Sequence, residues 1–128
     1  MTTWTPEELD RIGAADELEI STERGDGTVR PWVPIWVVRV GDGLFVRSWR
    51  GTGGAWYRHA AAQRIARVRL GDLVRQVAAH PLDVADTATQ AAIDDGYRSK
   101  YAPHGDTYVK PMIADQARGT TLQLAPRD

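Results

Sequence analysis

Cysteine is absent from the 128-residue chain, which excludes disulfides, thiolate metal sites and a cysteine nucleophile. An excess of charge is absent too. The 16 basic and 17 acidic side chains leave a net charge of -1, a poor basis for a protein whose main task is gripping nucleic acid, although a local basic patch stays open. No stretch approaches the ~18 apolar residues of a membrane span, and the opening MTTWTPEELDRIG has no basic flank followed by an apolar run. The expectation is a soluble, cytoplasmic protein with no nucleic-acid and no membrane partner. His59, His80 and His104 lie far apart, with no His-x-His or His-Glu-x-x-His spacing, so no metal site is expected. No Walker loop is present, and no Ser, Thr or Asp has an identifiable activating base, which leaves covalent hydrolysis without a motif.

What is present is an uneven set of aromatics and a regular punctuation by turns. Trp32, Trp36, Phe45, Trp49, Trp56 and Tyr57 fall within one quarter of the chain, marking either the core or a flat ligand's pocket. Thr5-Pro6-Glu7-Glu8 reads as a capped helix start with Gly13 as its end, and Leu9 and Ile12 as its inner face. Leu18, Ile20 and Thr22 alternate with charged or polar residues over Glu17 to Arg24, the period of a half-buried strand. After the Gly25-Asp26-Gly27 turn, the apolar run Trp32 to Val40 and the segment Leu44 to Trp49 form a hairpin through Gly41-Asp42-Gly43 that is expected to be the centre of the fold. A short helix over Trp56 to Gln63 precedes a second hairpin, Ile65 to Leu70 and Leu73 to His80, whose Gly71-Asp72 pair suits a type II′ turn. Pro81 stops that ladder. Thr87 and Gln90 read as a capping box for the longest helix, Ala88 to Tyr101, with Ile93, Tyr97 and Tyr101 on one face. Pro103 to Pro111 reads as a surface crossing and Thr120 to Leu124 as a last strand. The sum is one domain over residues 1–128, mainly β (α+β): an antiparallel sheet of about six strands curled into a small barrel, with two or three peripheral helices.

Two groups of residues carry possible chemistry. Gly51, Thr52, Gly53 and Gly54 open the helix at Trp56 between Arg50 and Arg58, so its unpaired backbone N–H groups are placed to cradle a phosphate; a plain flexible loop is the alternative reading. Arg24, Arg30, Arg50 and Arg58 gather near turns and this loop, where guanidinium forks suit phosphate oxygens. Arg39, Arg47, Arg67, Arg69 and Arg75 recur along strands and read instead as solvated faces and edges. Trp32, Trp36 and Trp49 read as core or dimer-interface aromatics. His59 is a candidate acid–base group through its place near the supposed pocket. Adjacent Asp94 and Asp95 point about 100° apart on a helix and read as a solvated face. Tyr97 is assigned to packing, whereas Lys100 and Tyr101 on the same side are pocket candidates, with Tyr57, for a small-molecule substrate.

The order Thr22, Arg24, Gly25-Asp26-Gly27, Arg30, Pro34-Ile35, Ser48-x-Arg50-Gly51, Trp56-Tyr57-x-His59 resembles the flavin-binding split-barrel superfamily, nearest its deazaflavin-dependent nitroreductase branch. The overall look, including YRSKY at Tyr97 to Tyr101, is also similar to a small bacterial family of unknown function assigned to the same barrel type. The resemblance covers roughly Leu18 to Leu70. It implies a split β-barrel, a homodimer, and a site for FMN or the deazaflavin coenzyme at the mouth between strands. In that site Arg24 and Arg30 would neutralise the cofactor phosphate, Pro34 and Ile35 pass beneath the ring, Ser48 to Gly51, including Arg50, border the phosphate or ring edge, and Trp56 brace the loop. His59 stands where the nitroreductase pattern has Asn, and Arg50 replaces the first small residue of its Gly-rich loop. The implied activity is hydride transfer to a small organic substrate; the alternatives are a non-catalytic binding protein for a phosphorylated or aromatic metabolite, or a purely structural homodimer.

Overall fold

A computed structural model describes residues 3–127. Helix α1 (Pro6–Ala14) starts with the expected capping box, in which the Thr5 hydroxyl accepts from the Glu8 N–H and the Glu8 carboxylate accepts from the Thr5 N–H. There follow β1 (Leu18–Ser21), β2 (Val33–Ile35), β3 (Val38–Val40), β4 (Gly43–Val46), α2 (Ala55–Gln63), β5 (Ile65–Leu70) and β6 (Leu73–Pro81). The chain ends with α3 (Thr87–Tyr101), α4 (Asp106–Ile113), α5 (Asp115–Arg118) and β7 (Leu122–Pro126). All seven strands form one antiparallel sheet in the order β2-β1-β5-β6-β7-β4-β3.

That order forces the sheet to curl. β2 and β3 hold opposite edges, yet only Trp36 and Val37 join them. Three residue steps span at most about 11 Å, whereas the edges of a flat seven-stranded sheet would stand roughly 29 Å apart. The apolar run Trp32 to Val40 is therefore not one strand but two, on either side of the barrel's split. The β3–β4 hairpin correspondingly lies at an edge, and the centre of the sheet is β6, flanked by β5 and β7. Pro34, with no N–H to offer, sits on the edge strand β2, where a missing donor costs no ladder bond.

Strand alternation distributes the core to both faces of β4. Leu44 and Val46 point into the barrel with Leu18, Ile20, Val68, Val77 and Leu124, and α1 closes one end with Leu9 and Ile12. Trp4 joins this cluster, its indole N–H donating to the Leu124 carbonyl at 2.8 Å. Phe45 points outward, with Val38, against Ile93, Tyr97 and Tyr101 of α3 and Val109 and Met112 of α4. The Gly71-Asp72 turn is as expected, with Gly71 at φ +59° and a following residue on the ordinary side of φ.

Several local expectations are corrected. Asp86, not Thr87, caps α3, accepting from the Thr89 N–H. The stretch Pro103 to Pro111 is not a loop: after a 3-10 turn it forms α4, with Pro111 inside the helix. The last strand runs two residues further than Leu124 and starts at Leu122. Helices number five and strands seven among the described residues. Arg47 and Asp94 are not solvated, at 1% and 4% exposure. Next outward after Phe45, Arg47 lies beneath α3 and α4. Its guanidinium donates to Thr121 Oγ1 (2.9 Å), Asp94 Oδ1 (2.6 Å), the Met112 carbonyl (2.9 Å), and the Gln90 carbonyl and Oε1 (3.3 and 2.6 Å). Burial alone would raise the Asp94 carboxyl, but hydrogen bonds from Arg118 and Arg47 and their charges hold it below its ordinary value.

Removing one partner of a buried pair strands the other charge. Arg47→Met is expected to cost about 3–5 kcal/mol in urea denaturation, and adding Asp94→Leu to recover part of that loss. A double variant as unstable as the sum of the two single variants would show that the pair is not coupled.

Candidate functional site

The arms that continue the β3–β4 hairpin part company at the split. Residues 33–35 pair with β1, while residues 47–50 turn away towards the glycine-rich loop. Between them opens a cavity of about 660 Å³, a size suited to a small-molecule ligand. Pro34, Ile35 and Trp36 form one wall, Arg47, Ser48, Trp49 and Arg50 the other, Gly54, Ala55 and Trp56 one end, and Tyr108, Pro111 and Met112 of α4 the roof. Glu17 lies at the margin beside Trp36, one residue before the Leu18–Ile35 pair of the β1–β2 ladder. The lining is thus mostly apolar and aromatic, with few polar groups.

The glycine-rich loop has a definite structure. A 3-10 turn spans Gly51–Gly53, with the Gly51 N–H donating to the Ser48 carbonyl and the Gly54 N–H to the Gly51 carbonyl. Gly51 has φ +63°, and a Cβ there would stand 2.4 Å from Gln116 Cγ; a Cβ on Gly54 would stand 2.4 Å from Ser48 Oγ, whereas one on Gly53 would meet nothing. Two of the three glycines are therefore required by backbone conformation or packing. Gly54 is the N-cap of α2 and offers no side chain, so the first N–H groups of that helix lack a capping partner at the cavity. The Ser48 side chain, 2% exposed, also lines this end. Arg50 is exposed at the same end, pairs with no carboxylate among the described residues, and lies over the Trp49 ring at 4.9 Å. A cation, a hydroxyl and a helix N-terminus thus all border the cavity, a combination suited to an anionic group.

The structure sorts the sequence-predicted residues into three places. Pro34, Ile35, Ser48, Arg50 and Trp56 line the cavity, whereas Gly51, in the 3-10 turn that follows Arg50, is not part of its lining. Arg24, Arg30, Arg58 and His59 are not part of its lining. Arg30 donates to the Glu23 carbonyl (2.6 Å) and Thr22 Oγ1 (3.1 Å), and Arg24 to Thr28 Oγ1 and the Val29 carbonyl (3.4 Å each). Gln63 ties α2 to this loop through the same Glu23 carbonyl at 2.8 Å. His59 sits near Arg30 and Arg58; burial and then these two positive charges push its imidazole below the ordinary value, so it stays neutral at pH 7. Tyr57 packs against the barrel core and edge-on to Trp56.

Lys100 and Tyr101 stand in the third place, behind Trp36. Tyr101 is buried; its ring stacks on Trp36 at 3.9 Å, and its hydroxyl accepts from the Val37 N–H and donates to the Asp16 carbonyl. Lys100 Nζ donates to the Val37 carbonyl at 2.6 Å. Trp49, expected in the core or an interface, is 60% exposed and so is no core residue. The roof was missed by sequence reasoning, though Val109, Met112 and Ile113 carry a helical spacing that Pro111 obscures.

Fold and cavity together define an antiparallel split β-barrel with a cavity in its split. The chain belongs to the family described as "Uncharacterized protein conserved in bacteria (DUF2255)", whose model matches residues 8–124. Among solved structures it is similar to the heme storage protein HutZ from Vibrio cholerae, at TM-score 0.64 and 11% identity over 100% of this chain and 92% of that one. It is also similar to an FAD-binding protein from Mesorhizobium loti, at TM-score 0.55 and 14% identity over 98% and 92% of the two chains. An F420 reductase aligns at TM-score 0.50 and 14% identity over 94% and 93%. At such identities the likeness is one of fold. No curated protein sequence matches the chain.

Two outcomes follow from the local physics. Gly54→Ala is expected to cost about 1–3 kcal/mol by overpacking against Ser48, whereas Gly53→Ala is expected to be neutral or slightly stabilising; equal melting temperatures for both variants would contradict the packing described. Burial pushes the Lys100 ammonium down to about 8, with the Asp16 carboxylate opposing the shift. The unfolded chain then binds more protons than the folded one above that pH, so stability should rise from about pH 8 towards pH 10. Beyond pH 10 the buried Tyr97 and Tyr101 phenols, whose ionisation burial opposes, act in the other direction. Lys100→Met should flatten the rise, and an unchanged slope would contradict the assignment.

Proposed function

We propose that the protein binds a flavin-type cofactor, FMN or the deazaflavin coenzyme, in the cavity of the split and transfers hydride to a small organic substrate. The observation that carries this reading is the pairing, in one cavity, of the aromatic residues Trp36, Trp49 and Trp56 with Arg50, Ser48 and the uncapped start of α2. The residues fit such a group. Pro34, Ile35, Trp36 and Trp56 offer apolar surface to a planar ring. Arg50, the Ser48 hydroxyl and the open N-terminus of α2 would hold its phosphate. Arg24, Arg30 and Arg58, off the cavity but on the adjoining loop and helix, would add a positive field to that end rather than direct contacts.

A bound ring of this type supplies the hydride chemistry. The protein's own part is to orient it, to exclude water with α4 as roof, and to keep its anionic end at Arg50. Arg47 takes no part in proton transfer, because its guanidinium is fully engaged beneath the cavity. The lack of an acid–base group deep in the cavity supports the second reading equally, a non-catalytic binding protein for a phosphorylated or aromatic metabolite. A homodimer belongs to the proposal: Trp49 and Tyr108, 60% and 64% exposed beside the cavity, are surfaces for a second copy to cover.

The test is an absorbance titration of the purified protein with FMN, and separately with the deazaflavin coenzyme, followed by gel filtration. The expected result is a stoichiometric coloured complex whose affinity falls about tenfold or more in Arg50→Ala, the effect of losing a charged hydrogen bond. Protein that elutes colourless with both ligands well above micromolar concentration would overturn the proposal. Binding without reduction of any small substrate would favour the non-catalytic reading.

A further inference from the structure

We infer that Tyr101 and Lys100 are positioning residues for the cavity, holding Trp36 in place from behind through the Val37 peptide groups. The inference rests on the reading that a planar ring occupies the cavity, and assigns a role to two side chains that do not line it.

The need for such a clamp comes from the topology. Val37 lies between β2 and β3, where the chain leaves one edge of the sheet and enters the other, so its N–H and C=O belong to neither ladder. The residue is fully buried, and buried backbone groups require partners. α3 supplies them from the side: Tyr101 Oη accepts the Val37 N–H at 3.0 Å, and Lys100 Nζ reaches the Val37 carbonyl at 2.6 Å. The Tyr101 hydroxyl has the Asp16 carbonyl at 2.7 Å and the Val37 carbonyl at 3.1 Å as acceptors for its own proton.

The same tyrosine grips the neighbouring side chain. Its ring lies parallel to Trp36, with 3° between the planes, and His104 leans on both rings at 5.2 and 5.8 Å. His104 Nε2 is in turn 3.0 Å from Asp16 Oδ1. Trp36 therefore has a built wall on one side and the cavity on the other. The charged and titratable groups around Lys100 and Tyr101 are Asp16, Glu17, Tyr97 and His104. A ligand ring placed against Trp36 gains from this arrangement because the indole does not have to be ordered on binding.

The test compares Tyr101→Leu, which removes stack and hydroxyl, Tyr101→Phe, which keeps the stack, and Lys100→Met, which keeps the stem. Ile93→Val on the same helix serves as a control that loosens the same core cluster while leaving the Tyr101 ring, its hydroxyl and Lys100 in place. Two quantities are read: FMN affinity, and hydrogen exchange at the Val37 amide in the ligand-free protein. The expected result is a loss of FMN affinity of about tenfold for Tyr101→Leu. Tyr101→Phe should show a smaller loss, with faster Val37 exchange, and Ile93→Val unchanged affinity. If wild-type protein binds FMN and every Tyr101 and Lys100 variant binds it equally well, the positioning role is overturned while the cofactor site stands. If wild-type protein binds no FMN, the cofactor reading fails, and Val37 exchange decides the clamp: acceleration in Tyr101→Phe supports it and unchanged protection overturns it.

Discussion

The Arg47 guanidinium is the joint on which the site depends. It sits where β4 gives way to the cavity wall, and its donors reach α3 through Gln90 and Asp94, the last turn of α4 through the Met112 carbonyl, and the approach to β7 through Thr121. Asp94 extends the connection to Arg118, which also pairs with Asp115 at the start of α5. One buried cation thus fixes a wall and the roof of the same cavity relative to each other. Such a centre is not a source of large net stability, because taking both charges from water is costly. Its effect is on geometry, since a guanidinium with directional donors accepts few alternative arrangements.

The cavity itself is a consequence of how the sheet closes. Seven strands are brought round so that two residues can bridge the edges, and the two arms leaving the β3–β4 hairpin then diverge rather than pair. The gap is lined by whatever those arms present, here Trp36 on one side and Trp49 on the other. Polar side chains in the lining are few: Ser48 and Arg50 precede the loop that turns into α2, Glu17 stands beside Trp36 and Thr107 belongs to α4. A mostly apolar cavity with a few placed polar groups orients a ligand as well as holding it.

Local signals in the sequence were legible where the determinants lie within a few residues. The Thr5–Glu8 capping box, the Gly71-Asp72 turn and the Ile93, Tyr97, Tyr101 face are all found as read. Determinants that depend on distant partners were hidden. Arg47 and Asp94 look like ordinary surface charges until a contact across 47 positions joins them. The run Trp32 to Val40 looks like one buried strand because both of its halves are apolar, and only the closure of the barrel assigns them to opposite edges. α4 was obscured by Pro103, Gly105 and Pro111, the last of which lies inside the helix although proline cannot donate to the carbonyl one turn before it. Of the site, the walls Pro34–Ile35 and Ser48–Arg50 and the end at Trp56 were visible through the order of motifs; the roof was not, and Lys100 and Tyr101 were singled out as pocket candidates although they stand behind Trp36 and outside the lining.

The most direct measurement is a crystal structure of the protein grown with FMN. A planar ring against Trp36 and the Pro34–Ile35 wall, with its phosphate at Arg50 and the start of α2, is the predicted result. A ligand bound on another face, or density for FMN nowhere while the cavity stays open to solvent, would contradict the assignment of the split as the cofactor site.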